Sequence, residues 1–161
     1  MNNKTTSIIA LMSLGLFIPI PAASSESDQT VEARGKYIIE IGGCNDCHTA
    51  GFAPSGGTIP ESEWLLGDSL GFRGPWGTTY ATNLRQYVGE ITEDEWIVKA
   101  ESLRTRPPMP WWALNSMTEE DLIAMYRYIK SLDPVKTDVP AYVPPPIVPE
   151  TPYVQWPEPA K

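Results

Sequence analysis

Cys44-Asn45-Asp46-Cys47-His48 is the stretch from which the rest of this chain is read. Two thiols three positions apart, followed at once by a histidine, form the C-x-x-C-H pattern that attaches haem covalently. Each thiol can add across one vinyl group of a single porphyrin, and the histidine then lies under the iron with an imidazole nitrogen to bind it. Cys44 and Cys47 are the only cysteines of the chain, and His48 is its only histidine. Three other readings stay open at this point. A thioredoxin-type redox pair wants a βαβ pattern around it, and none is visible. A tetrahedral zinc site wants four nitrogen or sulfur ligands where the chain offers three. A structural disulfide of an exported protein needs only the two thiols.

The chain opens Met1-Asn2-Asn3-Lys4, runs apolar from Ile8 to Ile20 and passes through small residues at Ala22, Ala23, Ser24 and Ser25. A short basic start, about a dozen apolar residues and a small-residue exit describe a cleavable signal peptide over 1–23. The apolar run falls short of the roughly 20 residues of a membrane span, so no transmembrane span is expected after cleavage. An uncleaved N-terminal anchor is the alternative. Export agrees with the haem reading, because haem of this kind is attached outside the cytoplasm in bacteria; the expected place is the periplasm.

The chain carries 12 basic and 20 acidic residues, a formal charge of −8, and loss of Lys4 with the leader makes it more acidic still. That excludes nucleic acid as a natural partner and favours a basic docking surface or a screened encounter. The acids cluster at Glu93-Asp94-Glu95 and Glu119-Glu120-Asp121, which read as helix starts rather than as an acidic patch. About 135 residues remain after cleavage, enough for one core and too few for two.

Residues 24–30 are small and polar and read as a flexible N-terminal arm. Val31, Ile38, Ile39 and Ile41, with Ala33 and Tyr37, suit a helix with one buried face, interrupted at Gly35 and stopped by Gly42-Gly43. Thr49 to Asn83 shows no sustained period and is rich in glycine and proline. Such a loop is acceptable around a large apolar object, against which Trp64, Leu65, Leu66, Phe72, Trp76 and Tyr80 can pack. Thr92-Glu93-Asp94-Glu95 is a capping box, and Trp96, Ile97, Ala100 and Leu103 follow at helical spacing. Thr118 caps another helix, whose apolar face is Leu122, Met125, Tyr126, Tyr128, Ile129 and Leu132. Seven of the 17 prolines fall in 144–159, so 140–161 reads as a proline-rich tail, either draped over the domain or docking a partner. The domain itself spans 31–139.

An iron bound by one histidine has a second axial position, and a methionine thioether is the expected ligand for an electron carrier. Met109, Met117 and Met125 are the choices beyond the leader. Met125 lies on the apolar helix face, and Met117 precedes the Thr118 cap as a staple does. Met109 stands in Arg106-Pro107-Pro108-Met109-Pro110-Trp111-Trp112, a loop stiffened by prolines on both sides, which suits a ligand that must hold one position. The alternative is an iron left five-coordinate or bound by water.

Three segments fall in a telling order. Arg34-Gly35-Lys36-Tyr37 precedes the Cys44–His48 motif. Gly74-Pro75-Trp76-Gly77-Thr78-Thr79-Tyr80-Ala81-Thr82-Asn83-Leu84 follows it. Pro107-Pro108-Met109-Pro110-Trp111 then leads into Met117-Thr118-Glu119-Glu120-Asp121-Leu122. From about Thr30 to Pro140 the chain thereby resembles the class I c-type cytochromes, specifically bacterial single-haem members like the cytochrome subunits of periplasmic dehydrogenases. The resemblance implies an all-α, cytochrome c-like fold of three to five helices, loop-rich, around one covalently bound haem c. It implies haem contacts from Cys44, Cys47, His48 and Trp76, with Tyr80, Asn83 and Arg85 near the haem propionates, and iron ligation by His48 and Met109. It also implies that Tyr128 packs over Gly35 where the first and last helices cross. The chain departs from its relatives in the short connection Arg85-Gln86-Tyr87-Val88-Gly89-Glu90-Ile91. The expected activity is electron transfer with no bond chemistry, hence no enzyme, from a dehydrogenase donor to an oxidase or another cytochrome. A haem enzyme or gas-binding protein with an open iron site, or a fixed subunit of a dehydrogenase complex, are the rival functions.

Overall fold

A computed structural model describes residues 26–157; the expected signal peptide lies outside them. Among the described residues, six α-helices, one 3-10 turn and three short strands are arranged around one apolar core. The helices are α1 (Glu26–Ile41), α2 (Cys44–His48), α3 (Leu84–Gly89), α4 (Glu93–Ser102), α5 (Trp111–Asn115) and α6 (Glu119–Ser131). The strands are β1 (Gly71–Gly74), β2 (Gly77–Thr79) and β3 (Tyr153–Gln155). Among the described residues no helix is long and apolar enough to cross a membrane.

The frame of the domain is the crossing of α1 and α6. A Cβ built on Gly35 would lie 2.0 Å from the Ala124 carbonyl oxygen and 2.7 Å from the Tyr128 Cβ, so the crossing admits only glycine. Tyr128 does pack over Gly35, as the resemblance implies. Ile38 and Ile39 are buried beside it, but Tyr37 and Ile41 are exposed, the latter by 65 %. Ile41 lies about 200° around the helix from Ile39, on the side away from α6. The helix also starts at Glu26, ahead of Val31, and takes in most of the segment read as a flexible arm.

The other helix starts form as their residues dictate. The Thr92 side chain accepts from the Glu95 backbone N–H while the Glu95 carboxylate accepts from the Thr92 N–H, a complete capping box. Thr118 accepts from the Asp121 N–H at the start of α6. The short connection after Asn83 is itself a helix, α3, with Val88 fully buried.

Two expectations need correction. The fold is not purely all-α, and its helices exceed the three to five foreseen. β1 and β2 form an antiparallel hairpin pairing Phe72 with Thr79, and β3 from the proline-rich tail adds in parallel, giving the order β2-β1-β3. The turn at Gly74-Pro75-Trp76-Gly77 closes the hairpin because Gly77 takes φ +95°, a conformation in which a Cβ is strained.

Glu61, opening the 3-10 turn (Glu61–Glu63), ties the frame together. Its carboxylate accepts from Lys36 Nζ at 2.5 Å and from the Tyr128 hydroxyl at 2.7 Å, and its carbonyl accepts from Arg85 Nη2 at 2.6 Å. The Lys36 hydrogen bond, helped by that of Tyr128, holds the carboxyl below its ordinary value of 4.5. A carboxyl lowered in the folded state stabilises the fold above its unfolded pKa, and that stability is lost as pH falls through the lowered folded value. Glu61→Gln is therefore expected to flatten the decline of urea stability below about pH 4.5. A decline as steep as that of the unaltered chain would exclude Glu61 as its source.

Candidate functional site

The five-residue motif forms a turn of helix that its neighbours fix from several sides. Gly43 enters α2 with φ +66°, and its carbonyl accepts from the Asp46 N–H at 3.1 Å. Asn45 is buried between the cysteines, and its Oδ1 accepts from the Thr49 hydroxyl at 2.7 Å. Thr49 Oγ1 in turn accepts from the Leu65 N–H at 2.8 Å, and the Gly67 N–H donates to the His48 carbonyl at 2.8 Å. The glycine- and proline-rich loop that lacks a period in sequence is thus laid along the motif by hydrogen bonds.

Cys44, Cys47 and His48 line a cavity of about 290 Å³. Phe72, Leu84, Trp96, Leu103, Leu114 and Met125 make it apolar, and Met109 lines it with Pro108 and Pro110. Nδ1 of His48 lies 2.7 Å from the Thr82 carbonyl oxygen, and a ring N–H donated there leaves Nε2 as the nitrogen with a free lone pair. Burial pushes the His48 pKa down against the raising effect of the Thr82 bond, which favours the neutral imidazole. Burial pushes the Cys44 thiol up to about 11, and burial with Asp46 and Asp68 raises that of Cys47. A redox-active pair needs a thiolate with a lowered pKa, so these thiols do not suit the thioredoxin reading. Among the described residues no group of three or more His, Cys, Asp or Glu side chains is placed to hold a metal ion.

The donor set fits a covalently held haem. Two thiols, an oriented imidazole and the thioethers of Met109 and Met125 share one apolar cavity, and among the described residues no carboxylate lines it. Tyr80 also lines the cavity, with its hydroxyl 2.7 Å from Thr151 Oγ1. The structure brings Asn83, Arg85 and Trp76 elsewhere. Asn83 is buried; it caps α3 and donates to the Val135 carbonyl and to Thr137 Oγ1. Arg85 is buried, with Nη2 donating to the Glu61 carbonyl and Nη1 to the Asp133 carbonyl. Trp76 packs its ring against Trp156, at 6.1 Å between centroids. Of the rival methionines, Met125 lines the cavity but is packed in the core at 2 % exposure, and Met117 does not line it. Sequence reading missed Thr82, which acts through its backbone carbonyl and so leaves no mark on residue type. It also missed Lys99 and Arg106, the two basic chains on the cavity besides His48.

Comparison with known proteins shows what the chain is similar to. It is 28 % identical over 119 residues to the cytochrome c subunit of the quinone alcohol dehydrogenase of Gluconacetobacter polyoxogenes, covering 66 % of this chain and 23 % of that protein. It is 26 % identical over 121 residues to the fructose dehydrogenase cytochrome subunit of Gluconobacter japonicus, covering 69 % and 22 %. It is 26 % identical over 133 residues to the gluconate 2-dehydrogenase cytochrome c subunit of Pantoea cypripedii, covering 76 % and 27 %. The match thus spans about a quarter of the length of these relatives. No family model and no solved structure matches. The similarity supports a cytochrome c-like, electron-transferring protein.

Proposed function

We propose that this chain is a periplasmic electron carrier. It holds one haem through Cys44 and Cys47 and ligates the iron with His48 and Met109. It passes electrons from a dehydrogenase to an oxidase or another cytochrome. The observation that supports it best is the sharing of one apolar cavity by two thiols, an imidazole with only Nε2 free, and the Met109 thioether. The haem would supply a one-electron iron couple. The residues of the chain supply the rest. The Thr82 carbonyl fixes the tautomer and ring plane of His48. Phe72, Trp96, Leu103 and Leu114 exclude water from the cavity, and a methionine ligand favours the reduced state.

An optical and magnetic circular dichroism spectrum of the purified ferric protein tests this reading. The expected result is a low-spin spectrum with a weak far-red band from sulfur-to-iron charge transfer. A high-spin spectrum with rapid cyanide binding would reject Met109 as ligand and favour an open site. Protein exported by a host competent in haem attachment, yet free of haem, would reject the reading altogether.

The names of these three relatives, each a cytochrome subunit of a dehydrogenase, favour a second reading as a fixed subunit of such a complex. Purification as a monomer fully reduced by a separate dehydrogenase would count against it.

A further inference from the structure

The proline-rich tail does more than cover the surface. Residues 133–157 run back over the domain and are fastened along their length. The Asn83 side chain holds the Val135 carbonyl, and the Val143 backbone exchanges two hydrogen bonds with Thr78, at 2.8 and 3.0 Å. The Tyr142 hydroxyl donates to the Trp76 carbonyl at 2.7 Å. Farther on, β3 pairs with β1, and the Trp156 N–H donates to the Arg73 carbonyl at 2.7 Å. The tail is therefore a strap across the outside of the β1–β2 hairpin.

The same hairpin also touches the methionine loop. Thr79 Oγ1 donates to the Pro107 carbonyl at 2.7 Å, two residues before Met109. Independently, the Arg106 guanidinium lies 3.7 Å from the centroid of the Tyr142 ring. A planar guanidinium stacked on a tyrosine face is held in orientation as well as in place. Loop and strap thus meet twice, once directly and once through the hairpin. Between them stand Thr79 and Arg106, both of which line the cavity with Met109.

We infer that the strap is a positioning device for the methionine loop, with Tyr142 as the positioning residue that stacks Arg106 and steadies the hairpin gripping Pro107. The link to iron rests on the reading of Met109 as a ligand; the link to the loop does not. The loop carries three prolines, Pro107, Pro108 and Pro110, and lies outside the helices, so its position depends on what flanks it. Tyr142 supplies that flank from a segment 33 residues away in sequence. The strap also explains why the chain continues beyond α6 with segments too proline-rich to form a core.

The test compares three single variants of the full-length holoprotein by hydrogen exchange at the Arg106, Met109 and Trp111 amides and by cyanide binding to ferric protein. Tyr142→Ala removes the ring and the hydroxyl and is expected to speed both by about tenfold. Tyr142→Phe keeps the ring under Arg106 but loses the hydroxyl bond to the Trp76 carbonyl, and is expected to fall between the unaltered protein and Tyr142→Ala. Tyr153→Ala alters β3 beside Arg73 without touching the loop, and is expected to leave both readouts unchanged. Loop exchange unaltered in Tyr142→Ala would overturn the inference, as would an equal rise in Tyr153→Ala, which would mean loosening of the strap in general. A faster loop in Tyr142→Ala, in a protein whose spectrum never shows the far-red band, would uphold the positioning role and reject Met109 as ligand.

Discussion

Adding one methyl group at Gly35 is expected to destabilise the domain by about 3 kcal/mol or more. The new Cβ would stand 2.0 Å from the Ala124 carbonyl oxygen, 2.6 Å from its carbonyl carbon and 2.7 Å from the Tyr128 Cβ. Two of those atoms belong to the backbone of α6 and cannot turn aside as a side-chain tip can. The two helices must separate, which uncovers Ile39, Leu122 and Ile129, all buried in the core. For a domain of this size the loss corresponds to a fall in melting temperature of roughly 10 °C. Gly89→Ala is the internal control. No atom lies within 4 Å of a Cβ there, and the position ends α3 in open space. That change is expected to be neutral or stabilising by up to about 1 kcal/mol, because alanine reduces the freedom of the unfolded chain. Urea denaturation of the two variants side by side decides the matter. A Gly35→Ala midpoint equal to that of the unaltered chain would show that α1 and α6 do not cross at this residue.

Met109→Ala is expected to have the largest effect on the site. It should abolish the far-red band, lower the reduction potential, and speed cyanide binding on the order of a hundredfold. The last follows because the competent open state would no longer compete with a bound thioether. Stability should change far less than in Gly35→Ala, since Met109 is only partly buried at the edge of the core. Met125→Leu separates the two methionines on the cavity. It is close to volume-conserving and should cost less than about 1.5 kcal/mol while leaving the band in place. A band that survives Met109→Ala and disappears in Met125→Leu would transfer the ligand role to Met125.

Much of this was legible because the informative residues act locally. A C-x-x-C-H run carries its chemistry within five positions. Thr92 and Thr118 mark helix starts because a hydroxyl reaches the backbone N–H three residues on. Leu122, Met125, Tyr128 and Ile129 recur at the helical period and are buried accordingly. What was not legible depends on distant partners. Asn83 stands within a haem-edge segment in sequence and Arg85 next to it, yet the Asn83 amide holds Val135 and Thr137 and the two Arg85 Nη atoms hold Asp133 and Glu61. Ile41 fits an apolar pattern but faces away from α6. The sheet escaped notice because its strands are three or four residues long and its parallel pair joins Phe72 to Val154, far apart along the chain.

The sequence by itself determined the motif, the helix starts and the glycine at the crossing, since each rests on spacing within a few residues or on the absence of a side chain. Only the tertiary structure decided that His48 and Met109 line one cavity, that the Thr82 carbonyl takes the other imidazole nitrogen, and that the proline-rich tail returns as a strand against the hairpin. Those are contacts between segments dozens of residues apart. Their formation is governed by which apolar surfaces pack together and which backbone groups then lie within hydrogen-bond reach, information that no local run of residues contains.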